Sequence, residues 1–259
     1  MSNSNFQTFK KIELKPGTLL APLPVVMVSM ADPAKQAADK ADDTKTGVEQ
    51  SGGNIITLAW NGIVNSDPPM LSISIRPERH SHALVADGGE FVVNLVTEQL
   101  LKVCDFCGVR SGRDMDKFAT CGLTPVPAAG LKSAPAIAES PITLSCRLTS
   151  RELLGSHEMF LAEIVALEVA DELVNDEGAI EFQRAGLISY MHGSYYQLGD
   201  ILGFFGYSVA RPEVLKRRLK ESKAREKSDQ THSENSKKKI KNIKSTKQKK
   251  SKKKKKDKK

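Results

Sequence analysis

The stretch NIITLAWNGIVNSDPPMLSISIRPERHSHALV, residues 54–85, decides the fold class of this chain. Apolar side chains crowd into residues 55–60 and alternate with serine over residues 70–76, and both patterns predict short strands. The turn sequence DPP separates the two runs, and residues 80–87 fit a short helix that Gly88 and Gly89 close. Short strands joined by turns favour an antiparallel β-barrel over a βαβ arrangement.

The same pattern continues on both sides of this stretch. We expect further strands at residues 25–30, 90–96, 140–150 and 159–168, and a helix over residues 97–107. Residues 31–53 are mostly polar, which predicts a long exposed hairpin loop with a helical turn around residues 34–41. Neither a G-x-G-x-x-G nor a Walker motif occurs, so the sequence does not indicate a Rossmann or P-loop fold.

Charge divides the chain into two parts. Residues 211–259 hold 23 Lys and Arg against 6 Asp and Glu, whereas residues 1–210 hold 16 against 25, so the basic pI belongs to the tail. We predict a slightly acidic globular domain over residues 1–210, which is long enough to bury a sizeable core. From Ser228 onward too little apolar surface remains to offset the entropy of ordering, so we predict a disordered, Lys-rich tail over residues 211–259.

Hydropathy and the number of cysteines indicate the cellular compartment of the protein. No apolar run approaches the roughly 18 residues that a membrane helix needs, and the N-terminus lacks a signal-peptide apolar region. We expect a soluble cytoplasmic protein whose four cysteines are thiols. Cys104 and Cys107 form a C-x-x-C pair, which fits structural thiols, a redox dithiol or half of a metal site. His80 and His82 have no third ligand nearby in the sequence, so we predict no metal site.

The segment ISIRPERHSH, residues 73–82, gathers anion-binding side chains at the end of a strand. Arg76 and Arg79 can grip a phosphate through a bidentate fork, and Ser81 and the amides of a helix start add donors. Because the surrounding domain is acidic, these local positive groups need a local partner. The alternative is a solvated helix start.

Five segments in a fixed order carry a family resemblance: residues 54–85, GEFVVNLV, CGVRSGRDMDKF, LLGSHEMFLAEI and YMHGSYYQLG. Over about residues 15–207 the chain resembles the flavin reductase-like family with the FMN-binding split β-barrel, and within it the flavoredoxin branch. The resemblance implies a mainly β fold, a six-stranded antiparallel Greek-key barrel with a few helices, and a homodimer with FMN near the subunit interface. The loop over residues 31–53 departs from the family, which usually has a tight hairpin there.

The resemblance also implies redox work, in which NAD(P)H or a protein donor passes reducing equivalents through FMN to an acceptor. Lys117 would place a cation where negative charge develops on the reduced ring, and His157 would approach the ring, so these two are the predicted catalytic residues. The predicted FMN-binding residues are Asn54, Thr57, Ala59, Trp60, Asn61, Ser72, Ser74, Ile75, Arg76, Arg79, Ser81, Asn94, Lys117, His157 and Tyr190. Among them Arg76 and Ser81 are the preferred phosphate contacts, ahead of Arg79.

Several of these residues also fit plainer structural roles. Trp60 fits a core position, Asn94 fits a hydrogen bond within the core, and Lys117 fits a helix start. Strict alternation puts Thr57 and Trp60 on opposite faces of their strand. Both therefore reach one ring only if the strand is bulged or the ring lies at the strand end.

Two further hypotheses about function stay open. One is a non-enzymatic FMN carrier that takes electrons only from a protein donor. The other is a protein that binds nucleic acid or another polyanion, such as anionic lipid or an acidic partner, through the basic tail by counterion release. The tail has no interleaved aromatic side chains, so stacking on bases is not indicated.

Overall fold

The structure is a computed structural model that describes residues 6–40 and 53–218, with side chains up to residue 36 in the first range. Predictions about residues 41–52 and 219–259, which include much of the polar loop and of the basic tail, lie outside the described residues. The strands are β1 (Leu23–Pro24), β2 (Val26–Ala31), β3 (Gly53–Leu58), β4 (Asn61–Ser66), β5 (Pro69–Ile75), β6 (Glu90–Leu95), β7 (Pro125–Pro127), β8 (Pro135–Ile137), β9 (Ile142–Leu153), β10 (Glu158–Val169), β11 (Ile188–Met191) and β12 (Ser194–Gln197). The α-helices are α1 (Pro33–Lys40), α2 (His80–Gly88), α3 (Leu101–Val109) and α4 (Lys117–Cys121), and residues 212–218 are also helical.

Seven of the strands form one antiparallel sheet, in the order β3-β2-β6-β9-β10-β5-β4. Its two edge strands, β3 and β4, are consecutive in the chain, and only Ala59 and Trp60 separate them. Neighbouring strands lie about 4.8 Å apart, so two residues cannot reach across a flat sheet of this width. The sheet therefore curls into a barrel whose edges meet at a seam, where β3 ends.

The two largest hydrophobic clusters of the described residues form the cores of this barrel. The barrel interior holds large buried side chains, among them Val28, Ile56, Ile73, Phe91 and Phe160. The second core lies between the outer faces of β2 and β3 and the helices α3 and α4, and includes Met27, Ile55, Cys104, Cys107 and Phe118. Because successive strand residues point to opposite faces, β2 supplies Val28 to one core and Met27 to the other. Burying each large apolar side chain contributes about 1.5–3 kcal/mol.

The mainly β, antiparallel fold with few helices is confirmed, but the sheet holds seven strands in the described residues and not the predicted six. Within this sheet, β4 is the strand that the sequence does not predict. It lies at a sheet edge, its last four residues are exposed, and it lacks the apolar alternation that marks its neighbours.

Helix positions largely follow the sequence. The helix predicted over residues 80–87 is α2, which ends at Gly89 in the left-handed conformation, with φ of 69°. The helix predicted over residues 97–107 begins as a 3-10 turn, Glu98–Leu100, and continues as α3. None of the helices in the described ranges has the length and apolar character that a bilayer crossing requires.

Candidate functional site

Two adjoining cavities lie at the seam of the barrel. The first, which we call the strand-end cavity, has a volume of about 400 Å³, and its wall includes Thr57, Ala59, Trp60, Ser74, His157 and Tyr190. The second, the basic cavity, has a volume of about 310 Å³, and its wall includes Arg79, Ser81, Arg110, Arg113 and Lys117. Val109 lines both, so a ligand with a flat ring and an anionic arm can occupy the two together.

The end of β3 explains how four consecutive residues line one cavity. The strand stops at Leu58, and the chain bends through Ala59 and Trp60 before β4 begins. Alternation therefore no longer separates Thr57 from Trp60, and both line the strand-end cavity. The Thr57 hydroxyl donates to the carbonyl of Cys104, so towards a ligand its oxygen serves as an acceptor.

Trp60 and His157 form an aromatic wall of the strand-end cavity. Their ring centroids lie 4.3 Å apart at an interplanar angle of 44°. Trp60 is 41% exposed, which excludes the alternative that it is a core residue. The β9–β10 turn positions His157, whose carbonyl accepts from the Leu154 amide at 2.8 Å. Partial burial, and then the charge of Arg76, lower the pKa of His157, so its imidazole is neutral at pH 7.

The hairpin of β11 and β12 supplies another part of the wall of the strand-end cavity. The rings of Tyr190 and Tyr195 lie 5.4 Å apart between centroids, and the Tyr195 hydroxyl donates to Asp105 Oδ1 at 3.1 Å. Burial raises the pKa of Tyr195 above its ordinary value, so the phenol stays protonated. The hydrogen bond joins the hairpin to α3 across the cavity.

The basic cavity is built around the start of α2. Arg79 directly precedes the helix and donates through Nη2 to the Gly108 carbonyl, which fixes the guanidinium and leaves its other donors for a ligand. Ser81 is only 3% exposed, and its oxygen accepts from Asn54 Nδ2 at 2.8 Å. The Ser81 hydroxyl proton can then be donated to an anion.

Lys117 is the deepest cation of the basic cavity. It is 2% exposed, and its Nζ donates to the carbonyls of Ile55 at 2.6 Å and of Cys107 at 2.8 Å. An ammonium group has three donors, so one remains for a ligand. Burial lowers the pKa of Lys117 to about 8. The side chain lines the basic cavity, whereas the sequence suggested a position beside the ring.

The family described as a flavin reductase like domain matches residues 20–199. The chain belongs to the flavin reductase-like family. An uncharacterized protein of Archaeoglobus fulgidus is 30% identical to it over 150 residues, which are 58% of this chain and 80% of that protein. FMN reductase (NADH) RutF of Methylorubrum extorquens is 26% identical over 117 residues, 44% of this chain and 55% of RutF. The flavoredoxin of Desulfovibrio vulgaris (Miyazaki F) superposes with a TM-score of 0.65 at 26% identity, over 75% of this chain and 97% of that one.

FMN is the cofactor that this family assignment supports, and the residues of the two cavities fit it. A phosphate needs cations and donors, which Arg79, Ser81 and Lys117 supply. The fully buried Asn54 Oδ1 has no hydrogen-bond partner within the described residues, and a ribityl hydroxyl is a donor of the kind it lacks. A Cβ on Gly112 would lie 2.0 Å from the same Oδ1, so glycine lets the wall of the basic cavity close against Asn54.

The structure of this flavin reductase-like protein brings together most of the predicted site residues. Thr57, Ala59, Trp60, Ser74, His157 and Tyr190 line the strand-end cavity, Arg79, Ser81 and Lys117 line the basic cavity, and Asn54 bonds to Ser81. The remaining predicted residues lie elsewhere.

Besides Asn54, which lies behind Ser81, five predicted residues line neither cavity. Arg76 is exposed and lies 3.6 Å from Glu78, while Ile75 is buried in the barrel core. Asn94 is saturated inside the protein, where it donates to Met27, Ser29 and Val92 and accepts from the Ile137 amide. Asn61 donates to the carbonyls of Pro24 and Leu58, and Ser72 is half-buried along β5.

Sequence reasoning missed Asp105, Gly108 and Val109 at the site. They lie in the C-terminal half of α3, whose sequence predicts an ordinary helix. Only the packing of α3 against the end of β3 brings them to the cavity. Tyr195 was not among the predicted site residues either, although alternation on β12 separates it from Tyr196, which is exposed.

The C-x-x-C pair belongs to the second core. Cys104 and Cys107 are fully buried free thiols, and burial raises their pKa values to about 11 and about 12. The thiolate is the reactive form of cysteine, so both side chains are unreactive at neutral pH. Their placement favours the structural interpretation over the redox and metal alternatives.

Proposed function

We propose that the protein is an FMN-binding oxidoreductase of the flavoredoxin type, either a flavin reductase or an electron-transfer flavoprotein that uses NAD(P)H or a protein donor. One observation carries the proposal: an aromatic cavity and a basic cavity share the wall residue Val109 at the barrel seam. A ring with a phosphate arm needs this combination of surfaces. The flavin reductase and flavoredoxin relatives support the redox class.

FMN, when bound, supplies the ring that takes up and passes on hydride or electrons. The chain's own residues bind and orient it. Arg79, Ser81 and Lys117 hold the phosphate, and the Trp60–His157 pair covers one side of the space for the ring. We propose Lys117 and His157 as the catalytic residues: neutral His157 can hold or move a proton at a ring nitrogen, and Lys117 adds positive potential.

We also propose a homodimer and a cytoplasmic location. Large apolar side chains are exposed along both terminal segments of the domain, and such surfaces mark protein interfaces. They include Phe6, Phe9, Ile12, Leu14 and Leu19 near the N-terminus and Leu198, Leu202, Phe205 and Val209 near residue 210. A second copy of this chain is the partner that would cover them.

The experiment starts from purified full-length protein stripped of flavin. Trp60 is the only tryptophan, so its fluorescence reports directly on the strand-end cavity. We expect added FMN to quench it saturably and to colour the protein yellow. Under anaerobic conditions NADH or NADPH should bleach the flavin absorbance if the protein is a reductase, whereas a carrier would respond only to a reduced protein donor. Protein that takes up no FMN would contradict the proposal.

Binding of polyanions through the tail remains a second candidate, because residues 211–259 hold 23 Lys and Arg against 6 Asp and Glu. Such binding would be indifferent to sequence and would weaken steeply with salt. It requires no residue of the two cavities, so both functions can reside in one chain.

A further inference from the structure

Asp32, Lys35 and His80 form a cluster beside the basic cavity. Asp32 directly precedes α1 and is only 3% exposed. Its Oδ2 lies 3.1 Å from His80 Nε2 and 3.6 Å from Lys35 Nζ. A carboxylate this deeply buried is costly without cationic or hydrogen-bonding partners, so the three side chains stabilise one another.

The cluster is connected to the basic cavity through His80 and through the segment 111–116. His80 is the first residue of α2 and lines the cavity directly, whereas Asp32 lies behind it. Lys35 Nζ donates to the Met115 carbonyl at 3.2 Å, which attaches α1 to the segment 111–116. That segment supplies Ser111, Gly112 and Arg113 to the same cavity wall.

We propose that Asp32 and Lys35 are positioning residues for the phosphate arm of FMN. Asp32 holds the His80 imidazole at the cavity wall, and Lys35 holds the segment 111–116, which supplies other residues of that wall. His80 Nε2 donates to Asp32, so the nitrogen left for an anion is Nδ1, and it can donate only when the imidazole carries protons on both nitrogens. The start of α1 thus contributes to cofactor binding. This inference rests on the proposed FMN site.

Comparing FMN with riboflavin isolates the phosphate, because riboflavin has the same ring and no phosphate. The variants are Asp32→Asn, His80→Gln and the double variant, and Asp87→Asn on the exposed side of α2 is the charge-matched control. Calorimetric titration of the flavin-free protein should show FMN affinity about tenfold lower for each single variant, the size of one lost charge-assisted hydrogen bond. Riboflavin affinity and the Asp87→Asn protein should be unchanged.

The double variant tests whether Asp32 acts through His80. We expect it to lose no more FMN affinity than His80→Gln alone, because residues that act as a unit are not additive. Equal losses for FMN and riboflavin, or additive losses, would overturn the inference. If Asp32→Asn fails to fold in a thermal melt, His80→Gln and Lys35→Met decide the question by the same FMN-selective criterion. Wild-type protein that binds neither flavin would instead contradict the proposed function itself.

Discussion

The buried environment of Lys117 makes its charge, and with it the binding of an anion, sensitive to pH. Its charge is buried and held by two carbonyls, and the lowered pKa of about 8 means that it loses its proton just above neutral pH. A bound phosphate favours the charged form, so binding takes up a proton in this range. FMN affinity should therefore fall as the pH rises through about 8, and riboflavin affinity should not.

Substituting Lys117 gives the corresponding prediction. Lys117→Met should lower FMN affinity about 10- to 100-fold at pH 7, the value of a charge-assisted hydrogen bond, and should flatten the pH dependence between pH 7 and 9.5. Titrations with FMN and riboflavin across that range measure both effects. Lys102→Met, on the exposed side of α3, is the control and should keep the wild-type profile. A Lys117→Met protein that still loses FMN above pH 8 would show that another group titrates.

The arginines show how far single residues can be predicted from the sequence. Both Arg76 and Arg79 suit a phosphate, and chemistry alone does not separate them. Arg76 follows Ile75 at the strand end and is exposed, whereas Arg79 lies three residues on, where the start of α2 turns it towards Gly108. The direction of the chain after Pro77 decides between them, and that direction depends on α3, which is distant in sequence.

At the scale of elements, the seam between β3 and β4 creates the site. Local patterns sufficed to predict β3, from an apolar run, and β5, from alternation. The closure that makes β3 and β4 opposite edges of one sheet depends on five intervening strands, which no local pattern reports. The approach of α3 and of the β11–β12 hairpin to the strand end is tertiary in the same way, and this is why Asp105 and Val109 were missed.

The segment between α3 and α4 gives a prediction for an element. Gly112 is buried, and a Cβ there would lie 2.0 Å from Asn54 Oδ1. Gly112→Ala must displace Asn54 or the segment itself, and overpacking of this kind costs about 1–3 kcal/mol. We expect a lower free energy of unfolding in urea and weaker FMN binding, because the segment carries Ser111 and Arg113 of the basic cavity.

Gly62 provides the matched control for this substitution. It lies on the edge strand β4, and a Cβ there would meet no atom within 4 Å. Gly62→Ala should leave both the unfolding free energy and the FMN affinity close to wild type. Equal behaviour of the two alanine variants would show that the close approach of Gly112 to Asn54 does not constrain the cavity wall.

At the scale of the whole molecule, the segment before the barrel exposes large apolar side chains to solvent. Residues 6–20 are exposed throughout, and Phe6 and Phe9 are 85% and 70% exposed. The family match begins at residue 20, so most of this segment is additional to the shared domain. A stable protein interface buries about 1,200–2,000 Å² in total, and two symmetry-related segments of this composition can supply several hundred Å² of apolar area to it.

Deleting residues 1–19 should therefore weaken the proposed homodimer. We expect the full chain to sediment as a dimer and the shortened chain to dissociate at micromolar concentration, as measured by analytical ultracentrifugation.

Deleting residues 219–259 is the control. This deletion removes much of the basic tail yet keeps the contact of Arg218 with the Phe204 ring, 5.0 Å from its centroid. That variant should remain dimeric, keep its FMN, and lose any salt-sensitive binding to polyanions. A dimer that survives loss of residues 1–19 would place the interface on another surface, and a monomeric full chain would contradict the dimer itself.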